Sequence, residues 1–425
     1  MCPRSLMVAA LIFSSMLVPY ARAASKYRVL YEFKGGADGY LPAAGLIFDI
    51  AGNLYGTTYE GGFENSGTVF ELTPNGHGGW TETLIHLFSL NNGNGYAPLA
   101  GLILDSAGNL YGTTYWGGSG TCQTGNYVGC GTVFQLIPNG GGSWTENVLY
   151  SFRDNGTDGT GPVGSLIFDA TGNLYGVTAS GGTEGKGTVF MLTPNGDGSW
   201  KEDVLHSFNG TDGSFPDSSL IFDGSGNLYS TTVQGGASGA GCGGVGCGTV
   251  FQLTPGAGGK WTETVLHSFH DYDPKGSLPS AGLIFDPAGN IYGTTQLGGN
   301  STCNRGYGCG VVFKLAPNLN ENWTESVLRR FNGTDGSGLS SSLIFDQTGS
   351  LYGTAAQGGV YNFGTVFRLE SAAKGAWKET VLHSFKDHPG AGSEGGLIFD
   401  GHGNLYGTAE GDGSKTFGTV FEITP

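Results

Sequence analysis

Three kinds of side chain in this sequence have chemistry to offer. The first is cysteine: beyond Cys2, the other thiols fall into three close pairs, Cys122/Cys130, Cys242/Cys247 and Cys303/Cys309. Each pair lies in a glycine-rich stretch with no histidine at ligand spacing, so the pairs read as loop-tying disulfides rather than metal sites. The second is a set of acids. Asp38, Asp158, Asp212 and Asp335, with Asn94 in the same place, each stand 11 residues before another aspartate, and Asp273 stands 13 before one. Acids in such Asn-Gly-Thr-Asp-Gly stretches cap turns; if neighbouring loops converge on a channel mouth, the same carboxylates could hold Ca²⁺, the one cofactor the sequence suggests. The third is a group of aromatic residues outside any repeat: Tyr59, Phe63, Tyr115, Trp116, Tyr127, Tyr307, Tyr361, Phe363 and Phe417. Rings beside amides and acids suit stacking on sugars with hydrogen bonds to their hydroxyls, and equally suit a protein partner.

The elements that must position these residues follow from composition and repetition. Glycine makes up 81 of 425 residues, against about 7% in ordinary usage, while 12% of the chain is aromatic. So much glycine excludes a mainly helical protein, and so many rings exclude disorder. The segment Gly45-Leu46-Ile47-Phe48-Asp49 returns around Asp105, Asp169, Asp223, Asp286, Asp346 and Asp400. Each copy continues through a turn ending in Gly-Asn, then Leu-Tyr-Gly-Thr-Thr, a glycine-rich loop, Gly-Thr-Val-Phe-x-Leu-Thr-Pro, a second turn, and Trp-Thr-Glu-x-Val-Leu-His-Ser-Phe. That predicts four short strands per copy, here strands a to d, and an all-β, seven-bladed β-propeller. The last copy stops after strand c, and Val29 to Phe33 aligns with Val381 to Phe385, so the N-terminal strand should complete the last blade. The expected blades are 45–90, 101–153, 165–208, 219–269, 282–331, 342–385, and 396–425 plus 27–33, all within one domain spanning 24–425. Residues 1–23 read as a signal peptide: Arg4, an apolar stretch from Leu6 to Val18, and the small-residue site Ala21-Arg22-Ala23. Secretion, extracellular or periplasmic, follows as the expectation, with no transmembrane segment in the mature chain.

In a blade the d–a and b–c loops leave one face and the a–b and c–d turns the other. The cysteines and the non-repeated aromatics all belong to the first face. Tyr115, Trp116, Tyr127 and Tyr307 are therefore the expected ligand anchors, on disulfide-tied loops, with Phe63 and Tyr361 on the same face. The repeated Asp-x-x-Gly-Asn of the a–b turn reads as turn chemistry. The Trp80 series should pack on a neighbouring blade, and His86, His206, His267 and His383 alternate with Tyr31, Tyr150 and Arg329 at one strand position, which speaks for packing.

Over nearly the whole mature chain the sequence resembles the GloVer tandem repeat of exported bacterial proteins, on the strength of Gly52 to Thr58, Gly67 to Pro74 and their six near copies. The resemblance implies an exported protein, often tethered through a C-terminal anchor, and brings no catalytic or binding residues; this chain ends at Pro425 without an apolar tail. A formal charge of −16 disfavours nucleic acid. The expected function is a non-enzymatic recognition or scaffold module, monomeric, binding an extracellular glycan or protein on the long-loop face. The alternative is a secreted propeller enzyme, a glycoside hydrolase or polysaccharide lyase at the channel mouth of that face, drawing on acids such as Glu60, Glu64, Glu184, Asp271, Glu410 and Asp412.

Overall fold

Every residue of Leu54–Thr58 is buried, and the same holds for its counterparts Leu110–Thr114, Ile291–Thr295, Leu351–Ala355 and Leu405–Ala409. An alternating pattern would mark a strand with one wet face; here both faces of strand b lie against neighbouring sheets. The computed structural model describes residues 25–90, 93–236, 242–270, 274–318, 322–388, 390–411 and 416–425. The signal-peptide segment 1–23 and Asp271, Asp273 and Asp412 lie outside the described residues.

The chain forms a seven-bladed β-propeller of antiparallel blades. Blade 1 runs Ile47–Phe48, Leu54–Thr58, Thr68–Pro74 and Trp80–Leu87 as strands a to d. Blade 7 takes a, b and c from Ile398–Phe399, Leu405–Ala409 and Thr419–Thr424, and its strand d is Lys26–Glu32. Val29 pairs with Phe421 and Tyr31 with Val420, as Val381 and His383 pair with Phe367 and Val366, so the N-terminal strand closes the ring in the register the alignment predicts. Two blades depart from the simple unit: in blade 3 strand a lengthens to Gly159–Phe168, and blade 4 adds Ser214–Pro216 ahead of Ile221–Phe222.

Each blade junction is cemented the same way. The phenylalanine just after strand d meets a strand-c phenylalanine of the next blade edge-on, from Phe33–Phe70 at 5.1 Å round to Phe385–Phe421 at 5.3 Å. Such pairs add about 0.5–1.5 kcal/mol beyond their area burial. The strand-d tryptophans do pack on the preceding blade, as Trp144 on Tyr55 and Trp261 on Tyr175. The a–b turns are self-contained: Asp49 Oδ1 accepts from the backbone N–H of Ala51 and Asn53, and Oδ2 from the Asn53 amide and the Tyr55 hydroxyl. In the sister turn burial alone would raise Asp105, but the hydrogen bonds from Asn109, Tyr111 and Ala107 outweigh it and hold the carboxyl below its usual range.

Candidate functional site

On the long-loop face the d–a loop of each blade lies against its own b–c loop, through bridges such as Tyr40 to Glu60 and Tyr96 to Trp116. In blade 2 the b–c loop folds into a small hairpin, Gln123–Thr124 against Tyr127–Val128, closed by the Cys122–Cys130 disulfide. The hairpin is docked by Tyr96, whose hydroxyl donates to the Val128 carbonyl at 2.9 Å and accepts from the Val128 N–H at 2.7 Å. Tyr127 then stacks on Trp116 at 5.7 Å and lies over Tyr96 at 6.2 Å, while Tyr115 meets Trp116 edge-on at 5.0 Å. Beside this stack a cleft of about 500 Å³ separates blades 1 and 2, lined by Tyr59, Glu60, Glu64, Asn65, Tyr96 and Tyr127. The Glu60 carboxylate is held by the Tyr40 hydroxyl and the Asn65 amide, and Glu64 by Ser89. Tyr127 presents 44% of its surface to solvent, so the ring is fixed yet available.

The structure gathers Tyr115, Trp116 and Tyr127 but distributes the other expected anchors. Tyr307 stands on blade 5, Phe63 on the b–c loop of blade 1, and Tyr361 on blade 6 with the Lys386 ammonium 5.1 Å from its ring centre. All three are exposed. The other two cysteine pairs, Cys242–Cys247 and Cys303–Cys309, also close within their own loops.

The axis holds a second cavity, of about 380 Å³, to which all seven blades contribute. Its wall is mostly glycine, alanine and serine from the residues just before each strand a. Two acids break that pattern. Asp217 and Glu394 occupy the ring position that is Ala43, Leu99, Val163, Ser280 and Ser340 in the other blades. Glu410 follows strand b of blade 7, where Tyr59 and Tyr115 stand in blades 1 and 2. Asp217 and Glu394 are exposed to the lumen; desolvation by the surrounding ring, then the Glu394 charge, pushes Asp217 up to about 6 and Glu410 up to about 8. Burial followed by the Asp217 charge also raises the Tyr115 phenol. Sequence reasoning named Glu410 but missed Asp217 and Glu394; the signal was present as a charge where the repeat carries a small or apolar residue.

The acids expected as turn caps or calcium ligands cap their turns and sit beside the blade junctions. At the junctions that hold these four acids, a strand-d residue of one blade, the acid in the following loop and a strand-d glutamate of the next blade come together. Tyr31 donates to Asp38 at 2.6 Å and Tyr150 to Asp158 at 2.9 Å, Arg329 donates to Asp335, and His206 Nε2 lies 3.2 Å from Asp212. The backbone N–H groups of Lys34, Arg153, Asn209 and Asn332 donate to the same four carboxylates. These are turn-cap contacts, made in four separate junctions. The glutamate partners are Glu82, Glu146, Glu202, Glu263 and Glu379, with Asn94 donating to Glu146 at 2.6 Å. The strand-d histidines pack edge-on against the following phenylalanine, as His86 on Phe88 at 4.7 Å.

The model of a family described as the Gloeobacter/Verrucomicrobia repeat matches residues 15–122, 119–306 and 242–425. No curated protein matches the chain in sequence. Among solved structures, the chain is similar to the extracellular domain of a protein from B. thetaiotaomicron described as a one-component system, with 11% identity and a TM-score of 0.54; the match covers 95% of this chain and 42% of that one. It also matches a luciferin-regenerating enzyme, at 15% identity and TM-score 0.45 over 76% of this chain and 90% of that one. A Thermus thermophilus protein described as an oxidoreductase (glucose dehydrogenase) matches at 16% identity and TM-score 0.45, over 94% of this chain and 100% of that one. The first likeness shows a shared fold and nothing of activity, and the other two add nothing to it.

Proposed function

The chain belongs to the Gloeobacter/Verrucomicrobia repeat family, and from that premise we propose that it is an exported, non-enzymatic recognition module that binds a neutral or basic glycan in the cleft between blades 1 and 2. The observation that carries this reading is the Tyr96–Tyr127–Trp116 stack on a disulfide-closed hairpin beside Glu60, Glu64 and Asn65. A sugar offers an apolar ring face to Tyr127 and hydroxyls to the carboxylates and amide, and a loop ordered in advance loses less entropy on binding. The acidic surface, with 35 Asp and Glu against 19 Lys and Arg, disfavours polyanions. Three disulfides accord with export, and no helix among the described residues is long and apolar enough to cross a membrane. A glycan array run beside a reducing-sugar release assay tests the reading: capture of neutral or amino sugars without product supports it, and failure to retain any glycan refutes it.

A second reading is favoured by Glu410, which feels the charge of the axial Glu394. Glu410, which burial and then Glu394 keep protonated up to about pH 8, has the character of a general acid toward a glycosidic oxygen. It predicts sugar release that Glu410→Gln abolishes. Release unchanged in that variant, or no release, removes it.

A further inference from the structure

Among the described residues, one blade junction offers three metal-ligand side chains at once. His206, near the end of strand d of blade 3 (Trp200–Ser207), Asp212 in the loop that follows, and Glu263 on strand d of blade 4 (Trp261–Ser268) place their ligand atoms within 4.8 Å of one another. His206 Nε2 and Glu263 Oε1 are both buried and have no hydrogen-bond partner. Orphaned oxygens recur on Glu146, Glu202 and Glu379, and such atoms are costly; only here, among the described residues, do a histidine nitrogen and two carboxylates converge within ligand reach of one another.

At three sister junctions a donor other than imidazole reaches one carboxylate, although a carboxylate oxygen is left without a partner there as well. Tyr150 donates its hydroxyl to Asp158, Arg329 its guanidinium to Asp335, and Asn94 its amide to Glu146. Between blades 3 and 4 the donor is replaced by an imidazole facing two carboxylates, and a single N–H cannot bridge both. A cation can. The surrounding contacts also resemble the outer support of a metal ligand: Asn209 donates its backbone N–H to Asp212 Oδ1 at 3.0 Å and its side-chain amide to Oδ2 at 2.6 Å, and the His206 ring is fixed edge-on against Phe208 at 4.8 Å.

We infer that His206, Asp212 and Glu263 form a site for a divalent transition metal that clips blade 3 to blade 4. One nitrogen and two carboxylates suit Zn²⁺ and its first-row neighbours, with bonds of about 2.0–2.2 Å and water completing the shell. Ca²⁺, which takes six to eight oxygens, is a poor match for the imidazole. Because the ligands come from two blades, the ion binds the closed ring and not the unfolded chain, and so stabilises the fold. This inference is independent of the glycan reading.

The test uses the full mature chain stripped with chelator and titrated with Zn²⁺ by calorimetry and by melting temperature. The site predicts one-to-one binding with Kd at or below the micromolar range and a rise in melting temperature. His206→Tyr, which recreates the donor found beside Asp158, should keep the metal-free melting temperature while weakening Zn²⁺ at least 100-fold. Glu263→Gln should weaken it at least tenfold. No binding at 100 µM Zn²⁺ overturns the inference, and so does undiminished binding in the folded His206→Tyr variant, which would assign the ion to other histidines.

Discussion

A residue that recurs in every blade carries a constraint that its side chain alone does not reveal. The glycine before each strand c, in Gly-Thr-Val-Phe or, once, Gly-Val-Val-Phe, has φ between 93° and 101° in all seven copies, from Gly67 to Gly418, with Gly310 lowest and Gly418 highest. At Gly187, φ is +100° and a Cβ would lie 2.5 Å from Cδ of Pro216 in the next blade. Both the backbone and the junction therefore exclude a side chain. Gly187→Ala is expected to destabilise by about 2–4 kcal/mol, combining overpacking with a left-handed backbone, as read by urea denaturation; a loss within error of zero would mean that the junction yields freely. At Asp105, Asp169 and the other a–b turn aspartates the position was legible from the Asp-x-x-Gly-Asn pattern itself, because every partner lies within six residues. Asp38 and Asp212 also cap local turns, through Tyr31 and Lys34 and through Asn209; what the sequence could not show was Glu82 and Glu263 of the next blade brought up beside them.

At the level of elements, what repeats was legible and what does not repeat was only half so. Strand order, the four-strand unit and the use of Lys26–Glu32 as a borrowed strand all follow from local patterns that seven copies reinforce. Tyr96, by contrast, could not be assigned to the Trp116–Tyr127 stack, since a d–a loop and a b–c loop meet only once the blade has formed. Asp217 and Glu394 meet only when blades 4 and 7 face each other across a closed ring. The Cys122–Cys130 bridge closes a span of 8 residues, so it restricts the unfolded chain little and its main effect is to order the hairpin. Replacing both cysteines with serine should lower stability by less than about 2 kcal/mol while markedly weakening any ligand held by Tyr127. A large stability loss with binding intact would contradict that division.

For the whole molecule the junction ring makes stability depend on pH. Burial pushes Glu82, Glu146, Glu202 and Glu379 up to about 7, against opposing or reinforcing charges from Lys34 and Asp38 at the first, Asp158, Asp203 and Lys201 at the third, and Asp335 and Arg329 at the fourth. Their folded pKa values lie above those of the unfolded chain, so their contribution is complete below about 4.5 and is lost as pH rises through 7. Burial lowers His86 and His383 to about 4, so theirs is present above about 6.5 and lost as pH falls toward 4. Four glutamates outweigh two histidines, and the melting temperature should be higher at pH 5.5 than at pH 8; a steady rise over that interval would contradict the ring of buried carboxyls. The same architecture divides labour between two faces, one of self-satisfied a–b turns and one of docked aromatic loops. The most direct measurement of that division is calorimetric affinity for a glycan captured on the array, compared among the native protein, the Trp116→Ala/Tyr127→Ala double variant and Ile50→Ala on the opposite face, where Ile50 is fully exposed. The double variant should bind more weakly by about 2 kcal/mol or more and Ile50→Ala should bind as the native protein does, with circular dichroism unchanged in both. Native affinity in the folded double variant, or loss of binding from Ile50→Ala alone, would contradict the assignment.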